Sequence, residues 1–282
     1  MTHDQFVSSP SFRQRYWSRS LVGFDTFSSA RPNLAHSSFA RLEANGFLCS
    51  AAGGVSTITQ NVDGLHQRAG SKNVVDLHGC GHDVVCLHCG KRGARLDYHK
   101  LLRDVNPDFV KLVEKAAAAK TPSSVDVIGG DGASSSSSSS SSSHSSIRPD
   151  GDAAHDFDTS SFLVLPCPFC GIGVVKPDVT FFGSNVSADI VSRCMSACGS
   201  AEGLIVAGSS LSVYSAFRFV KSMHKEGKPV AIINVGGTRV DEDKSFWGEE
   251  GERAKNIWKR EVGVSPFFSE LVRVLEKDDA KS

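Results

Sequence analysis

The most regular pattern of apolar and polar positions lies in the C-terminal third of the 282-residue chain. Residues 203–208 (GLIVAG) are a short apolar run that ends in glycine, as buried parallel strands commonly do. Residues 212–227 carry apolar side chains near helical spacing and stop at a glycine. Residues 228–237 (KPVAIINVGG) repeat the pattern of a strand with a glycine stop. The order strand, helix, strand within about 30 residues predicts a right-handed βαβ unit.

Two further elements extend this prediction: a strand over residues 56–61 (STITQN) and a closing helix over residues 263–277. The residues that follow three of the predicted strands are mostly small or polar, and they lie at the edge where parallel sheets bind their ligands. These residues are Gln60, Asn61, Val62 and Asp63, then Gly208, Ser209 and Ser210, then Asn234, Val235 and Gly236. A helix that begins after Ser210 would favour a phosphate at this edge.

Ordinary turns between strands and helices use the same residue types, and a single such turn would favour that interpretation. Three polar strand ends together favour a nucleotide site. The pattern G-x-G-x-x-G does not occur, so the chain lacks the standard dehydrogenase fingerprint.

One segment, from about residue 116 to residue 161, has the composition of a disordered chain. It contains ten consecutive serines, residues 134–143, and clusters of glycine, alanine and aspartate. Such a composition buries too little apolar surface to offset the entropy of ordering. We predict a long surface insertion, because the entropy of closing a loop grows only slowly with its length.

Composition and charge narrow the classes of partner. Lysine and arginine number 31, and aspartate and glutamate also number 31, which argues against nucleic acid or an acidic membrane surface as a partner. No apolar run approaches the roughly 18–20 residues of a membrane helix, and the start shows no signal peptide. The eight cysteines are therefore better interpreted as metal ligands or reduced thiols than as disulfides.

Two C-x-x-C motifs, CLHC (86–89) and CPFC (167–170), predict a zinc site. The four ligands would be Cys86, Cys89, Cys167 and Cys170. Four thiolates close the coordination shell, so this zinc would be structural. Redox dithiols are the alternative, and Cys80 is a substitute ligand if the first motif is misassigned. On this interpretation His82 and His88 take no part, and Cys49, Cys194 and Cys198 are small buried apolar residues.

His78 follows a valine-rich run. An isolated histidine in such a place is more often a satisfied core or surface residue than a base. Its titration near neutral pH nevertheless makes it capable of general-base catalysis.

Taken in order, several motifs resemble the sirtuins, which are NAD-dependent protein deacylases, some with ADP-ribosyltransferase activity. The motifs are TQNVDGLHQRAG (59–70), DLHG (76–79), the paired cysteine motifs, KPDVTFFG (176–183), GSSL (208–211) and INVGGT (233–238). Residues 12–36 and the GSSL motif most resemble the mitochondrial class II, sirtuin-four-like branch. The resemblance covers roughly residues 5–110 and 162–275.

The resemblance implies a role for each matching residue. His78 would be the catalytic base that deprotonates a ribose hydroxyl. The residues implied to contact NAD are Gln60, Asn61, Asp63, Gly208, Ser209, Ser210, Asn234, Gly236 and Val262. Val179, Phe181 and Gly183 match the stretch that pairs with an extended substrate peptide by strand addition. The four cysteines match the zinc ligands. NAD would be a consumed co-substrate.

The chain departs from the family pattern in three places. The family begins with a strand and a glycine-rich loop (G-A-G-I-S, then G-I-P-D-[FY]-R), and nothing like it precedes Phe12. We therefore expect the sheet to lack a central strand and NAD to lack its main phosphate contacts. Residues of about 49–56 resemble an insertion. The family's FFGE-like stretch reads FFGSN here, and the region around Val262 resembles the family only loosely.

We predict an α/β fold with a Rossmann-like parallel sheet, formed by residues 1–78 and 178–282, and an inserted zinc-binding domain over residues 79–177. The predicted function is that of an NAD-dependent protein-lysine deacylase, with ADP-ribosyltransferase activity as an addition. Its partners would be NAD and an acylated lysine of a protein, without nucleic acid or membrane, and the chain would be a monomer. The resemblance implies a mitochondrial location; a cytoplasmic or nuclear location is the alternative.

Two alternatives to catalysis stay open. One is a catalytically impaired sirtuin remnant that acts as a zinc-containing binding protein, which the missing glycine-rich loop favours. The other is a zinc-ribbon module for nucleic acid or protein with an unrelated sheet. The net charge is neutral, and the sequence has no run of lysine and arginine with aromatic residues between them. Both observations argue against the zinc-ribbon module.

Overall fold

The structure is a computed structural model that describes residues 1–48, 54–119, 157–248 and 252–279. Cys49 and most of the insertion predicted near residues 49–56 lie outside the described residues. The serine run of the predicted disordered segment lies outside them as well. The predicted ends of that segment are wrong, because residues 116–119 continue a helix and the Phe157 ring packs 5.9 Å from the Phe109 ring.

Ten α-helices and eight strands occur within the described ranges. The helices are α1 (His3–Ser8), α2 (Pro10–Ser29), α3 (Leu34–Ala44), α4 (Leu65–Arg68), α5 (Arg95–Val105), α6 (Pro107–Ala119), α7 (Ala188–Ser200), α8 (Tyr214–Lys225), α9 (Arg239–Glu242) and α10 (Val264–Asp279). The strands are β1 (Thr57–Thr59), β2 (Val74–Asp76), β3 (Gly79–Cys86), β4 (Arg92–Ala94), β5 (Val175–Val179), β6 (Leu204–Ala207), β7 (Val230–Ile233) and β8 (Ile257–Arg260). None of the described helices is long and apolar enough to cross a lipid bilayer.

The described residues form two compact units. The first, which we call the sheet unit, comprises Thr2, Ser29–His82 and Asp178–Ser282. The second, the cysteine unit, comprises Met1, His3–Ser28 and Asp83–Pro177. Each unit has its own core.

Parallel strands dominate the sheet unit. β6, β7 and β8 form one parallel sheet, and β1 and β2 pair in a second one. The predicted Rossmann-like α/β fold is therefore confirmed, including the parallel β6–α8–β7 connection. The helix that was predicted to begin after Ser210 begins later, because three residues separate Ser210 from the start of α8.

Two apolar clusters hold the sheet unit together, and the larger one includes the buried residues of α8. Helix α8 buries Phe217, Val220 and Met223 at spacings of three residues, on the face that packs against the strands. Ile232 of β7 and Leu77, which follows β2, are fully buried in the same cluster. Burial of each large side chain contributes about 1.5–3 kcal/mol. This packing fixes the positions of the strand ends.

The cysteine unit is built around α2 and α5. Helix α2 buries Trp17 and Phe24, and Arg95 of α5 is completely buried beside them. The guanidinium of Arg95 lies 4.9 Å from the centre of the Phe24 ring and donates to Ser20 Oγ at 2.8 Å. Asn106 at the end of α5 exchanges hydrogen bonds with the backbone of Leu163, at 2.9 and 2.7 Å.

These contacts correct the predicted domain boundary. The sequence placed residues 1–78 with the parallel sheet, whereas His3–Ser28 groups with the cysteine unit. The physical reason is the aromatic face of α2, which surrounds Arg95. On the C-terminal side, the division between the two units falls between Pro177 and Asp178.

Candidate active site

The polar residues that follow β1, β2 and β6 are joined by hydrogen bonds. Gln60 Nε2 donates to Ser209 Oγ at 2.8 Å. The backbone carbonyl of Gln60 lies 3.2 Å from His78 Nδ1. Three predicted site residues from three strand ends are thus brought together. The Gln60 side chain also links the ends of the two parallel sheets.

His78 is half-buried and held by both ring nitrogens. Nδ1 faces the carbonyl oxygen of Gln60, and Nε2 lies 2.8 Å from Ser215 Oγ. Burial lowers the pKa of His78, and the hydrogen bond to Gln60 opposes this shift. The imidazole is therefore predominantly neutral at pH 7, which is the state that a general base needs. The Thr180 N–H donates to the His78 carbonyl at 2.7 Å and fixes the backbone.

Asp63 shapes the turn after β1. One carboxylate oxygen accepts from the Leu65 N–H at 3.0 Å, at the start of α4. Its carbonyl lies 2.9 Å from His82 Nε2, so His82 supports this turn. Asn61 is exposed, and its backbone N–H donates to Thr59 Oγ1 at 3.1 Å. The side chain of Asn61 is therefore presented to solvent.

The turn after β6 is tight. Gly208 has a φ of +59°, and a Cβ there would lie 3.2 Å from Val264 Cγ2. Ser209 Oγ accepts from the Leu211 N–H at 3.1 Å, and Leu211 itself has a φ of +57°, a conformation that leucine rarely adopts. Ser210 is exposed, with its hydroxyl 3.1 Å from that of Ser212. The small residues thus leave backbone accessible at this edge.

The residues after β7 and β8 meet through Glu261. The Gly236 N–H donates to Glu261 Oε1 at 2.8 Å, and Val262 is the next residue, 39% exposed. Asn234 is buried, and its Nδ2 donates within its own turn to the carbonyls of Val235 and Gly236, at 3.1 and 3.3 Å. Asn234 therefore braces the turn.

The predicted substrate stretch follows β5. Val179, the last residue of β5, and Phe181 are buried, whereas Gly183 is exposed and has a φ of +82°. Phe182 between them is 74% exposed, and its backbone forms a parallel bridge with Thr2. Buried Val179 and Phe181 thus alternate with the more exposed Thr180 and Phe182. The stretch ends in a turn, where the Ser184 N–H donates to the Phe181 carbonyl at 3.0 Å.

Sequence patterns did not point to Ser215, to Glu261 or to a pair of histidines near Asp63. Ser215 lies 137 positions from His78, so only the folded chain brings them together. The rings of His36 and His66 lie 4.8 Å apart. Burial lowers the pKa of His66 to about 4. His66 lies within the TQNVDGLHQRAG motif, and this position was the one sequence signal that could have pointed to the histidine pair.

The cysteine unit holds a four-sulfur cluster. The Sγ atoms of Cys86, Cys89, Cys167 and Cys170 all lie within 4.8 Å of one another. Cys86 is 3.8 Å from Cys170, and Cys89 is 3.8 Å from Cys167. Zn–S bonds of about 2.3 Å in a tetrahedron require sulfurs roughly 3.8 Å apart. The cluster can therefore hold a zinc ion. Each of the two short contacts joins a cysteine of one C-x-x-C motif to a cysteine of the other, whereas in two separate redox dithiols the short contact would lie within each motif.

The local backbone prepares the sulfurs for a metal. The amides of His88 and Cys89 point to Cys86 Sγ at 3.4 Å each. Burial raises the pKa of Cys86, but hydrogen bonds from these amides and from the Cys89 and Cys167 thiols outweigh it and lower the pKa to about 6. A Cβ on Gly173 would lie 2.2 Å from Cys86 Sγ, so only glycine fits there. The thiolate character of Cys86 and the compact cradle both suit zinc.

The other described cysteines differ from this group. Cys80 is not part of the cluster. Cys194 and Cys198 are buried on one face of α7, and burial raises the pKa of each to about 11. Both are thus small buried apolar residues, as predicted.

The fold and these two sites define a parallel-sheet α/β protein with a nucleotide-type edge and a four-cysteine centre. A model of the Sir2 family matches residues 1–215. An NAD-dependent protein deacetylase of Xanthomonas axonopodis pv. citri is 41% identical over 243 residues, which cover 86% of this chain and 70% of that protein. NAD-dependent protein deacetylase 1 of Streptomyces coelicolor is 40% identical over 242 residues, 86% of this chain and 68% of that protein.

A solved complex of Sir2 with a p53 peptide and NAD+ is similar at a TM-score of 0.59 and 26% identity, over 99% of this chain and 82% of that chain. The chain belongs to the Sir2 family, and the predicted sirtuin membership is confirmed. The predicted mitochondrial location is wrong, because both sequence relatives come from bacteria, which have no mitochondria. The sirtuin-four-like branch stays a prediction.

Proposed function

We propose that the protein is an NAD-dependent protein-lysine deacylase of the sirtuin type. One observation carries the proposal: His78 binds the Gln60 carbonyl through Nδ1, which leaves Nε2 as an acceptor at the polar strand edge. A neutral imidazole in this tautomer is suited to remove a proton from a sugar hydroxyl. The family model and the names of the relatives support the same reaction.

In the proposed reaction, the residues that follow the parallel strands bind NAD and remove a proton. The acyl oxygen of the substrate attacks the ribose carbon that loses nicotinamide, and His78 then removes a proton from a ribose hydroxyl. Gln60, Asn61 and Asp63 would contact the nicotinamide and its ribose. The turn after β6 would bind phosphate and ribose through Gly208, Ser209 and Ser210, and the turns at Asn234, Gly236 and Val262 would contact the adenosine. NAD is consumed in this scheme.

The substrate would be an extended peptide that carries an acylated lysine. Val179, Phe181 and Gly183 belong to the segment that would pair with it, and the exposed Phe182 would lie beside it. The zinc would stabilise the cysteine unit without entering the reaction, because four thiolates leave no open coordination position. A monomeric state and the absence of a nucleic-acid partner are further predictions.

The test is a turnover assay with NAD and a peptide that contains acetyl-lysine. We expect release of nicotinamide and loss of the acetyl mass from the peptide. The variant His78→Tyr should lose turnover while it keeps its fold and zinc. His88→Asn is the matched control, because His88 is exposed and its side chain has no part in the proposed reaction. Full turnover by His78→Tyr would show that the base lies elsewhere.

A catalytically impaired binding protein is the second candidate. It is favoured by one observation: the parallel strands of the described residues form two separate sheets rather than one. Calorimetry with NAD distinguishes the two functions, since the impaired protein would not bind NAD. The same assay mixtures, examined by mass spectrometry of the intact acceptor protein, would detect the predicted transfer of ADP-ribose.

A further inference from the structure

A hydroxyl group lies next to Nε2, the ring nitrogen of His78 that would accept the proton. Ser215 Oγ lies 2.8 Å from Nε2, and the carbonyl oxygen of Gln60 lies 3.2 Å from Nδ1. A carbonyl oxygen only accepts hydrogen bonds, so Nδ1 carries the proton of the neutral ring and Nε2 presents its lone pair. Ser215 therefore donates its hydroxyl proton to Nε2.

This arrangement puts a serine where the substrate hydroxyl would be expected. A base that acts directly must have its acceptor atom within hydrogen-bond reach of the proton it removes. In this chain that acceptor atom is already bound to Ser215. The incoming sugar hydroxyl can reach His78 by displacing Ser215 or through it.

The position of Ser215 favours transfer through it. Ser215 is the second residue of α8, a helix of 12 residues, and it is half-buried. The partial positive charge at a helix N-terminus stabilises an oxygen that develops negative charge. A hydroxyl can donate to neutral Nε2 and later accept from protonated Nε2 without moving. Both states of His78 therefore keep this hydrogen bond.

We propose that Ser215 relays the proton from the sugar hydroxyl to His78 Nε2. The inference rests on the proposed function. As the sugar O–H bond breaks, its proton forms a new bond to Ser215 Oγ. The proton that Ser215 held moves to Nε2 in the same step. The products are a sugar alkoxide, an intact serine hydroxyl and an imidazolium, so charge and protons balance.

The experiment compares Ser215→Ala and Ser215→Thr with the wild type. General-base catalysis is typically worth about 10²–10⁴-fold, and loss of the relay should lower kcat by about 10–100-fold with KM changed less than about threefold. Ser215→Thr retains a hydroxyl and should keep most of the rate. Ser222→Ala is the matched control in the same helix, since the Ser222 hydroxyl binds Glu226 at 3.2 Å. Circular dichroism confirms that each variant folds.

A proton inventory in mixtures of light and heavy water separates a relay from a structural role. Two protons in flight should give a curved dependence in the wild type, and one proton a linear dependence in Ser215→Ala. Unchanged or faster turnover by Ser215→Ala would overturn the relay alone and show that the serine competes with substrate. Absence of NAD-dependent turnover in the wild type would overturn the relay together with the proposed function.

Discussion

At the scale of single residues, burial sets the protonation of two further histidines. It lowers the pKa of His66 and of His99 to about 4. The His99 ring lies 4.6 Å from that of Phe24, and its Nε2 is 3.3 Å from the Ser20 carbonyl. Buried neutral histidines make the free energy of unfolding depend on pH, because the unfolded chain binds their protons more readily.

We expect acid to destabilise the protein through His99. Its pKa is lower in the folded state than in the unfolded state, so its contribution is complete above pH 6.5 and is lost as the pH falls towards 4. This loss is on the order of 2 kcal/mol. Urea denaturation at pH 7 and pH 4.5 measures it, and His99→Phe should show a smaller acid loss than the wild type. Equal acid losses in both proteins would contradict this assignment, and His88→Asn serves as the exposed control.

At the scale of secondary-structure elements, two glycines have opposite roles. Gly173 lies beside the cysteine cluster, where a Cβ would be 2.2 Å from Cys86 Sγ and 3.2 Å from Cys170 Sγ. Gly199 lies in the last turn of α7, with no atom within 4 Å of a Cβ. Glycine weakens a helix relative to alanine by roughly 0.5–1 kcal/mol.

We therefore expect Gly173→Ala to lower zinc content and thermal stability, and Gly199→Ala to raise the free energy of unfolding by about 0.5 kcal/mol. Metal analysis and thermal melts check both changes. Retention of zinc by Gly173→Ala, with an unchanged melt, would show that the cradle tolerates a methyl group.

The sequence predicted those elements whose apolar pattern is uninterrupted. β6, α8, β7 and α10 all lie within the predicted ranges or near their ends. β8 was not predicted, because of its four residues (IWKR) only Ile257 is buried. Lys259 in that strand pairs with Asp241, a contact that no local pattern encodes.

Some features of the candidate sites could likewise be predicted from local sequence patterns, and others could not. The cysteine cluster follows from spacing, since two C-x-x-C motifs supply adjacent corners of a tetrahedron. Ser215 could not be inferred, because only the folded chain brings the start of α8 next to His78. Likewise, Asn234 has the residue type of a ligand contact, yet its amide is used inside its own turn.

At the scale of the whole molecule, the two units depend on different interactions. The sheet unit has an extended apolar cluster that includes Phe217, Met223 and Ile232. In the cysteine unit, part of the buried volume is a charged side chain, Arg95, and four sulfurs replace apolar packing. A bound zinc ion contributes to folding only where its ligands are assembled, so its removal should destabilise the cysteine unit.

The last prediction uses the position of Trp17 to test this dependence. The chain has three tryptophans, and Trp17 is fully buried in the cysteine unit. In a variant with Trp247→Phe and Trp258→Phe, Trp17 fluorescence reports the unfolding of that unit. Adding Cys167→Ser should remove zinc and lower the free energy of unfolding seen by Trp17 by several kcal/mol.

Cys80→Ser, in the same background, is the control, because Cys80 is not part of the cluster. It should keep one zinc per chain and the original midpoint. If Cys167→Ser retained zinc with an unchanged midpoint, Cys167 would not be a ligand. If zinc were lost without a change in the Trp17 transition, the packing of α2 around Arg95 would by itself be sufficient to hold the cysteine unit together.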